Sequence, residues 1–343
     1  MKKMNGTMNN KIDFVITWVD GSDREWQRLK NSYLPGREDS HIDASGERYR
    51  DWGLLPYWFR AAEQYAPWVN KVHFVSCGQV PDWLNLSAPK LHLVSHEVFI
   101  PPDYLPTFNS NAIELNLHRI PGLGDQFVYF NDDFFLAAPT RPEDFFIGGL
   151  PCDCIEERPP EFCERILYNH IVVNDIIFAN RHFERLPNRK EHRALWYSLN
   201  TPHISFRNLL MGLFRCRHFF GLNVHHLPQA YRKQTFSDVW EAEAEWMDET
   251  CRNRFRSESD MSHASLKYWQ LLKGDFHPYN KRKFGRVFRI GEETADIISA
   301  LGSRQYKAIC LSDEHTIKDF EETKARLMAA FEETFPRKSS FER

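Results

Sequence analysis

The chain has 343 residues, of which 42% are apolar, 27% charged and 14% aromatic. This composition is typical of a soluble globular protein and excludes a disordered or fibrous chain. The 44 basic residues nearly balance the 47 acidic ones, which leaves a net charge of −3. Because such a chain is not drawn to a polyanion, we expect no nucleic-acid partner.

No run of apolar residues in the sequence approaches the roughly 20 that a membrane-spanning helix needs. Residues 1–10 are polar and contain no apolar signal region. We therefore expect a cytoplasmic protein, either free or peripheral at the inner face of the cell membrane. The seven cysteines are scattered and odd in number, which favours reduced thiols over a disulfide framework or a zinc site.

The order of apolar segments indicates the fold class. Predicted strands, rich in apolar and β-branched residues, cover 12–19, 72–75, 91–94 and 127–130. The apolar residues of 52–65 recur at helical intervals between the first two strands. This alternation predicts an α/β fold with a mostly parallel, Rossmann-like or GT-A-like sheet flanked by helices. Beyond about residue 150 the pattern predicts a mainly helical C-terminal half, with helices over 237–252, 262–272 and 317–335.

Acidic clusters follow two of the predicted strands. Asp20 and Asp23 follow the first strand, and Asp132 and Asp133 follow the strand at 127–130. The carboxyl ends of parallel strands form the ligand crevice of such sheets. Carboxylates there suit Mg²⁺ or Mn²⁺ bound to phosphate oxygens. The alternative is that these residues cap turns or helices.

A helix is predicted over 109–119, with Asn109 or Ser110 as its cap. Glu114 and His118 are one turn apart, so they would share a face. A general base or a metal ligand is one interpretation of this pair. An ordinary polar helix face is the other.

Basic residues cluster further along the chain. His225 and His226 precede Pro228, and Arg254 and Arg256 precede another predicted helix. Arginines beside a helix N-terminus suit a phosphate group, although a solvated basic face would have the same sequence. A histidine with a near-neutral pKa can act as acid, base or nucleophile.

These segments, in this order, resemble the four sequence blocks of the Stealth family of sugar-phosphate transferases. The matching segments are Ile12 to Asp23, Tyr65 to Asp133, His226 to Ser257 and Tyr306 to Asp313. The resemblance implies transfer of a hexose-1-phosphate from a nucleotide sugar, usually UDP-linked, to a sugar hydroxyl. UMP would be released and a phosphodiester formed in a surface polysaccharide.

The resemblance also implies roles for individual residues. The expected catalytic residues are Glu114, Asp133, His226 and Arg256. Asp20, Asp132 and Asp133 are expected to hold Mg²⁺ or Mn²⁺. Residues expected to bind substrate are Thr17, Trp18, Asp20, Gly21, Asn109, Ser110, Arg119, Asn131, Arg254 and Asp313.

The sequence has no internal repeat and no long low-complexity linker, which predicts one unit and not separable modules. We expect a disordered N-terminus at 1–10, a single catalytic unit at 11–336 and a flexible tail at 337–343. Within the unit, 11–150 would form an α/β nucleotide-sugar core and 151–336 a mainly helical part that completes the active site. The expected acceptor is a growing polysaccharide or a lipid-linked glycan at the inner face of the cell membrane.

Two other functions remain open at this stage. A metal-dependent glycosyltransferase would have a similar nucleotide-sugar site but would release UDP and form a glycosidic bond. A noncatalytic carbohydrate-binding protein could use some of the 10 Trp and 12 Tyr residues to stack on sugars. Within the transferase interpretation, either Glu114 or His226 could be the base, and His226 could instead be a nucleophile.

Overall fold

The computed structural model describes residues 11–34, 51–313, 317 and 319–343. The predicted disordered segment 1–10 lies outside these residues. The strands are β1 (Ile12–Thr17), β2 (Val72–Ser76), β3 (Leu91–Ser95), β4 (Gln126–Phe130), β5 (Phe134–Leu136), β6 (Phe146–Ile147), β7 (Leu150–Asp153), β8 (Gln229–Arg232), β9 (His277–Pro278), β10 (Gly285–Arg289) and β11 (Ala308–Ser312).

The helices divide unevenly along the chain, with most of them after residue 150. They are α1 (Arg24–Ser32), α2 (Leu55–Tyr65), α3 (His96–Phe99), α4 (Ser110–Leu115), α5 (Ile166–His182), α6 (Arg185–Glu191), α7 (Arg193–Trp196), α8 (Pro202–Gly212), α9 (Lys233–Ala242), α10 (Ala244–Arg252), α11 (His263–Leu272), α12 (Lys281–Phe284), α13 (Thr294–Ser303) and α14 (Phe320–Thr334). Among the described residues, none of the helices is both long enough and apolar enough to cross a bilayer.

The main sheet has the strand order β3-β2-β1-β4-β8. β1 pairs in parallel with β2 and with β4, and β2 pairs in parallel with β3. β8 pairs antiparallel with β4. The predicted α/β fold with a mostly parallel sheet is thus confirmed, as is the mainly helical C-terminal half. The sequence does not predict β8, because its four residues, Gln-Ala-Tyr-Arg, contain no apolar run.

The sheet is covered on both faces, which is why its central strands consist mostly of apolar residues. On β4, Val128 and Phe130 pack into one core with Trp58 of α2. Phe127 and Tyr129 point to the opposite core. Side chains alternate between the two faces along a strand. Tyr129 therefore lies on the same face of the sheet as Thr17, at the end of β1, and the two hydroxyls meet.

Two small sheets extend this core. Their orders are β10-β11-β5 and β6-β7-β9. β5 directly follows the Asn131-Asp132-Asp133 turn and pairs antiparallel with β11. This pairing carries the Tyr306 to Asp313 block to the carboxyl end of β4, although Cys310 and Asp133, which meet there, are 177 positions apart in the chain.

The helix predicted over 109–119 is shorter than expected. α4 ends at Leu115, and Leu117–Arg119 form a separate 3-10 turn. The carbonyl of Ala112 accepts a hydrogen bond from the Asn116 side-chain amide (2.8 Å), in place of the backbone N–H that would continue the helix. Glu114 and His118 therefore do not share a face, and His118 stacks on Phe236 with ring centroids 5.3 Å apart.

The C-terminal residues 337–343 are packed against the domain, so the expectation of a flexible tail is wrong. Phe341 is 2% exposed and its ring lies 5.2 Å from that of Phe59. Glu342 forms an ion pair with Arg60 at 2.9 Å. A large aromatic side chain near the end of the chain can anchor a segment whose composition is otherwise polar.

Candidate active site

The carboxyl ends of β1 and β4 meet where the strand order reverses. From β1 the chain proceeds outward through β2 and β3 and then returns to β4 on the other side of β1. Loops at such a reversal separate and leave a crevice for ligands. The loop after β1 carries Asp20, and the loop after β4 carries Asp132 and Asp133.

Glu114 lies beneath this crevice on α4. α4 begins at Ser110 because the side chain of Asn109, its N-cap, accepts a hydrogen bond from the N–H of Asn111 (3.0 Å). Glu114 is only 5% exposed. Its Oε1 accepts a hydrogen bond from the Tyr129 hydroxyl at 3.1 Å, and Tyr129 in turn lies 3.0 Å from the hydroxyl of Thr17.

Burial raises the pKa of Glu114 to about 7, because a charged carboxylate is poorly solvated there. The charge of Arg256, the hydrogen bond from Tyr129 and the charge of His226 act in the opposite direction. Without these three neighbours the pKa of the carboxyl would be higher still. With them it can both accept and release a proton.

Asp133 lies across the crevice and contacts His226. Nε2 of His226 is 3.6 Å from Oδ2 of Asp133, and the Cys310 thiol is 3.5 Å from the same oxygen. The Leu311 N–H donates to the Asp133 backbone carbonyl (2.9 Å), which fixes the turn against β11. Burial lowers the pKa of His226, but the Asp133 carboxylate and the charge of Glu114 together outweigh this effect, and the pKa is raised.

The two carboxylates of the turn are close enough to repel each other. Desolvation and the charge of Asp133 raise the pKa of Asp132 to about 7, although its side chain reaches the protein surface. Oδ1 of Asp133 is buried and has no hydrogen-bond partner within the described part of the chain. Adjacent carboxylates with an unpartnered oxygen fit a hard divalent cation.

Arg256 reaches the site from the loop between α10 and α11. Its guanidinium donates to the Ser110 hydroxyl at the start of α4, one turn before Glu114. The loop is held by Asp260, which is fully buried. Asp260 accepts hydrogen bonds from the Asn253 amide (2.8 Å) and from the Ser257 N–H (3.0 Å).

Asp260 also joins this loop to the start of α4. It accepts hydrogen bonds from the side-chain amides of Asn109 (2.8 Å) and Asn111 (3.1 Å). Asn109, expected to bind substrate, is 0% exposed and its side chain is held by Asp260, so substrate binding by this residue stays a prediction. The sequence does not predict that Asp260 joins these two segments, because Asn109 is 151 positions away from it.

The structure therefore brings the four expected catalytic residues into one neighbourhood. The charges of Arg256 and His226 both act on Glu114, and His226 contacts Asp133. Ser110 contacts Arg256, and Thr17 contacts the hydroxyl that binds Glu114. These contacts join segments that lie more than 100 positions apart in the chain, so they form only when the chain is folded.

Three expected residues line the loop after β1. Trp18 packs on Phe74 with ring centroids 5.6 Å apart. Oδ1 of Asp20 accepts hydrogen bonds from the N–H (2.8 Å) and the hydroxyl (2.6 Å) of Ser22, which form a local turn that includes Gly21. Asp20 is thus at the crevice, but one of its oxygens is already used by the backbone.

Two further expected residues lie at the ends of β4 and β11. The Asn131 carbonyl accepts a hydrogen bond from the Phe134 N–H (3.1 Å), which closes the turn that presents Asp132 and Asp133. Oδ2 of Asp313 accepts one from the Trp52 indole (3.1 Å).

The remaining two expected residues have structural contacts of their own. Arg254 donates to the Pro106 carbonyl (2.6 Å) and lies over the Tyr33 ring at 4.7 Å. Arg119 is exposed and lies over the Trp240 ring at 4.5 Å. The described contacts of these arginines do not join them to Glu114, so substrate binding by either one stays a prediction.

A recess of about 210 Å³ opens beside His226. Its wall is rich in basic side chains and consists of His225, His226, Leu227, Arg282, Gly285, Arg286, Val287 and Tyr306. A cationic wall next to the Asp133 and His226 pair could bind an anionic part of a substrate.

Family models match two regions of the chain. Conserved region 1 of Stealth proteins matches residues 10–38, and conserved region 2 matches residues 48–150. The capsular polysaccharide phosphotransferase WcwK of Streptococcus pneumoniae is 38% identical over 333 residues, which cover 97% of this chain and 98% of the relative. The chain belongs to the Stealth family. The predicted resemblance is confirmed.

Other relatives extend the same conclusion. The receptor polysaccharide phosphotransferase WefC of Streptococcus gordonii is 38% identical over 344 residues, covering 98% of this chain and 100% of the relative. The exopolysaccharide phosphotransferase cps2G of Lactiplantibacillus plantarum is 34% identical over 336 residues, which cover 97% of this chain and 96% of the relative. This Stealth protein is therefore an enzyme, as predicted.

A solved structure shows a more distant likeness. The galactosyltransferase LgtC, in complex with donor and acceptor sugar analogues, aligns with 92% of this chain and 95% of its own. The identity is 9% and the TM-score is 0.38.

The raised pKa of Glu114 predicts a pH dependence of folding. Its carboxyl has a pKa near 4.5 when unfolded and about 7 when folded. The native state therefore binds the Glu114 proton more tightly than the unfolded state does, and the stability that this binding contributes is lost as the pH rises from 4.5 through 7. The wild type should lose about 3 kcal/mol of free energy of unfolding in this way, and Glu114→Gln should not.

Urea unfolding of both proteins at about pH 5 and about pH 8 measures this difference. The wild-type protein should lose more free energy of unfolding between the two pH values than Glu114→Gln. Equal losses in the two proteins would show that Glu114 titrates normally.

Proposed function

We propose that this Stealth protein transfers a hexose-1-phosphate from a UDP-linked nucleotide sugar, such as a UDP-N-acetylhexosamine, to a sugar hydroxyl of a surface polysaccharide. The new phosphodiester would form as UMP leaves. The observation that carries the proposal is the buried Glu114 carboxyl beside Arg256, with the Asp133 and His226 pair opposite. Phosphoryl transfer needs mainly such positioned charges, since it asks little covalent chemistry of the protein.

Glu114 is the proposed general base. It takes the proton of the attacking sugar hydroxyl as the oxygen–phosphorus bond forms. A base is most effective when its pKa lies near the working pH, and the pKa of Glu114 is about 7. The Tyr129 hydroxyl, 3.1 Å away, holds the carboxylate in place.

Arg256 is the proposed contact to the transferring phosphoryl group. Its guanidinium is fixed by Ser110 but remains half-buried, with further donors available for phosphate oxygens. UMP leaves as an already stabilised anion, because its phosphate has a second pKa of about 6. The bond to the leaving oxygen therefore breaks without a strong general acid.

His226 is oriented by Asp133. Its Nε2 faces the carboxylate at 3.6 Å, so this nitrogen is not directed at an incoming phosphorus atom. The other ring nitrogen, Nδ1, is left for the substrate, so His226 can act as a hydrogen-bond donor or charge near the phosphate or as a nucleophile that forms a phosphohistidine.

Asp133, with Asp132 and Asp20, is proposed to hold Mg²⁺ or Mn²⁺. The unpartnered buried Oδ1 of Asp133 supports this assignment. The ligand atoms of Asp133, His226 and Cys310 lie within 4.8 Å of one another, but burial raises the pKa of the Cys310 thiol, and a neutral thiol suits neither cation. A bound cation would neutralise charge on the donor diphosphate.

The proposed acceptor is a growing polysaccharide or a lipid-linked glycan, and the proposed location is the cytoplasm. The relatives named above support an acceptor of this kind, because their names describe capsular, receptor and exopolysaccharide phosphotransferases. The cationic recess beside His226 is large enough to receive part of a sugar or phosphate group.

The reaction products test the proposal. The purified protein, incubated with UDP-N-acetylhexosamine, Mg²⁺ or Mn²⁺ and a polysaccharide acceptor, should release UMP and leave phosphorus in the product as a diester. A chelator should stop both. Release of UDP with a phosphorus-free product would instead support the glycosyltransferase alternative, since a different bond would have been broken.

The role of Arg256 predicts a selective loss of turnover. Arg256→Lys keeps the positive charge but loses the planar set of donors, so kcat should fall about 100-fold with little change in KM. Arg252→Lys is the matched control, because Arg252 is more than half exposed and pairs only with Asp248 among the described residues. It should change kcat less than about twofold.

Steady-state kinetics with saturating donor separate the two constants. If Arg256→Lys raised KM and left kcat unchanged, Arg256 would bind the ground state and have no special contact in the transition state.

A further inference from the structure

One helix of the C-terminal half presents an apolar face to solvent. On α8, Phe206 and Leu209 are 61% and 56% exposed, and Leu210 and Leu213 are 47% and 75% exposed. Their spacing of three and four residues places them on one side of the helix. Phe214, at the end of the helix, is 57% exposed. Clusters of this kind usually mark an interaction surface.

The opposite side of α8 is firmly anchored. Ile204 is 1% exposed and Asn208 is 0% exposed. The Asn208 side-chain amide donates to the carbonyls of Ile155 (2.8 Å) and Trp196 (2.9 Å), and its Oδ1 accepts from the Glu157 N–H (3.0 Å). The apolar face is therefore held outward by packing on the other side of the helix.

A buried arginine also fixes the end of the helix. Arg185 donates to the carbonyls of Met211 (2.7 Å), in the last turn of α8, and of Phe214 (2.6 Å), just beyond that turn. Its counterion is Glu157, at 2.6 Å, and both side chains are inaccessible to solvent. Buried hydrogen bonds of Asn208 and Arg185 thus hold α8 in place with its apolar face exposed, which indicates that this face contacts a partner.

The charge around this face selects the partner. Residues 199–218 contain three arginines and two histidines but no acidic residue. The arginines are Arg207, Arg215 and Arg217. The side chains of Arg207 and Arg217 are 51% and 76% exposed, and Arg215 is also exposed. An apolar helix face bordered by cations is the pattern of helices that lie in the interface of an anionic bilayer.

The face lies beside the candidate active site. Arg207 and Arg282 bind the same oxygen of Glu156, at 2.6 Å and 3.0 Å. Arg282 also lines the recess that contains His226. The helix face and the recess therefore share a boundary that consists of one ion-pair cluster.

We propose that the exposed face of α8, formed by Phe206, Leu209, Leu210, Leu213 and Phe214, docks the enzyme on an anionic lipid surface. The apolar side chains enter the boundary between headgroups and acyl chains, and the arginines contact lipid phosphates. Docking in this way brings the recess beside His226 close to the membrane plane. The proposal concerns membrane binding and does not depend on which bond the enzyme breaks.

Vesicle co-sedimentation tests the proposal with the full chain. The wild-type protein should bind vesicles of equal parts phosphatidylcholine and phosphatidylglycerol, and should bind pure phosphatidylcholine vesicles much more weakly. The double variant Phe206→Ser/Leu213→Ser should bind the anionic vesicles at least about tenfold more weakly than the wild type, because two large apolar side chains are lost. Equal binding of the wild type to both kinds of vesicle would overturn the proposal.

The matched control is Leu86→Ser/Val98→Ser. These side chains are 50% and 56% exposed but lie near β3, away from α8 in the chain. This variant should bind anionic vesicles as the wild type does. If both double variants lost binding equally, the face of α8 would have no special role.

A second copy of the chain is the competing occupant of this face. Sedimentation velocity in the absence of lipid distinguishes the two. A wild-type protein that ignores vesicles but forms a dimer, which Phe206→Ser/Leu213→Ser converts to a monomer, would overturn the proposal. Because neither measurement involves turnover, failure here is distinct from failure to release UMP.

Discussion

The site depends on an ionisable carboxyl that is buried but not isolated. Burial alone would keep Glu114 protonated, and full exposure would make it a weak base. Arg256, His226 and the Tyr129 hydroxyl offset the burial, so that the pKa is about 7. The rest of the local structure, from the cap at Asn109 to the turn at Asp133, keeps these groups in place around it.

The position of Arg256 in turn depends on Asp260. This buried carboxylate accepts hydrogen bonds from Asn109 and Asn111 on one side and from Asn253 and Ser257 on the other. It therefore joins the start of α4 to the loop that carries the arginine. A loop held by polar contacts of this kind orients a guanidinium more accurately than surface packing would.

The sequence predicts the N-terminal half of the fold well, because the strands of a doubly covered parallel sheet are apolar runs with clear ends. It predicts the residues of the candidate site through motifs that resemble a family. It does not predict contacts between distant segments, such as Asp260 with Asn109. It also misses features that one side chain decides, such as the helix end at Asn116 and the packed tail at Phe341.

In the proposed mechanism Glu114 accepts the proton of the sugar hydroxyl, and the Tyr129 hydroxyl lowers the pKa of Glu114. The decisive measurement is the pH dependence of kcat/KM in the wild type and in Tyr129→Phe. We expect activity to rise with pH through about 7 in the wild type, and the rise to move to higher pH in the variant because the carboxylate loses a donor. A rise at the same pH in both proteins would contradict the account.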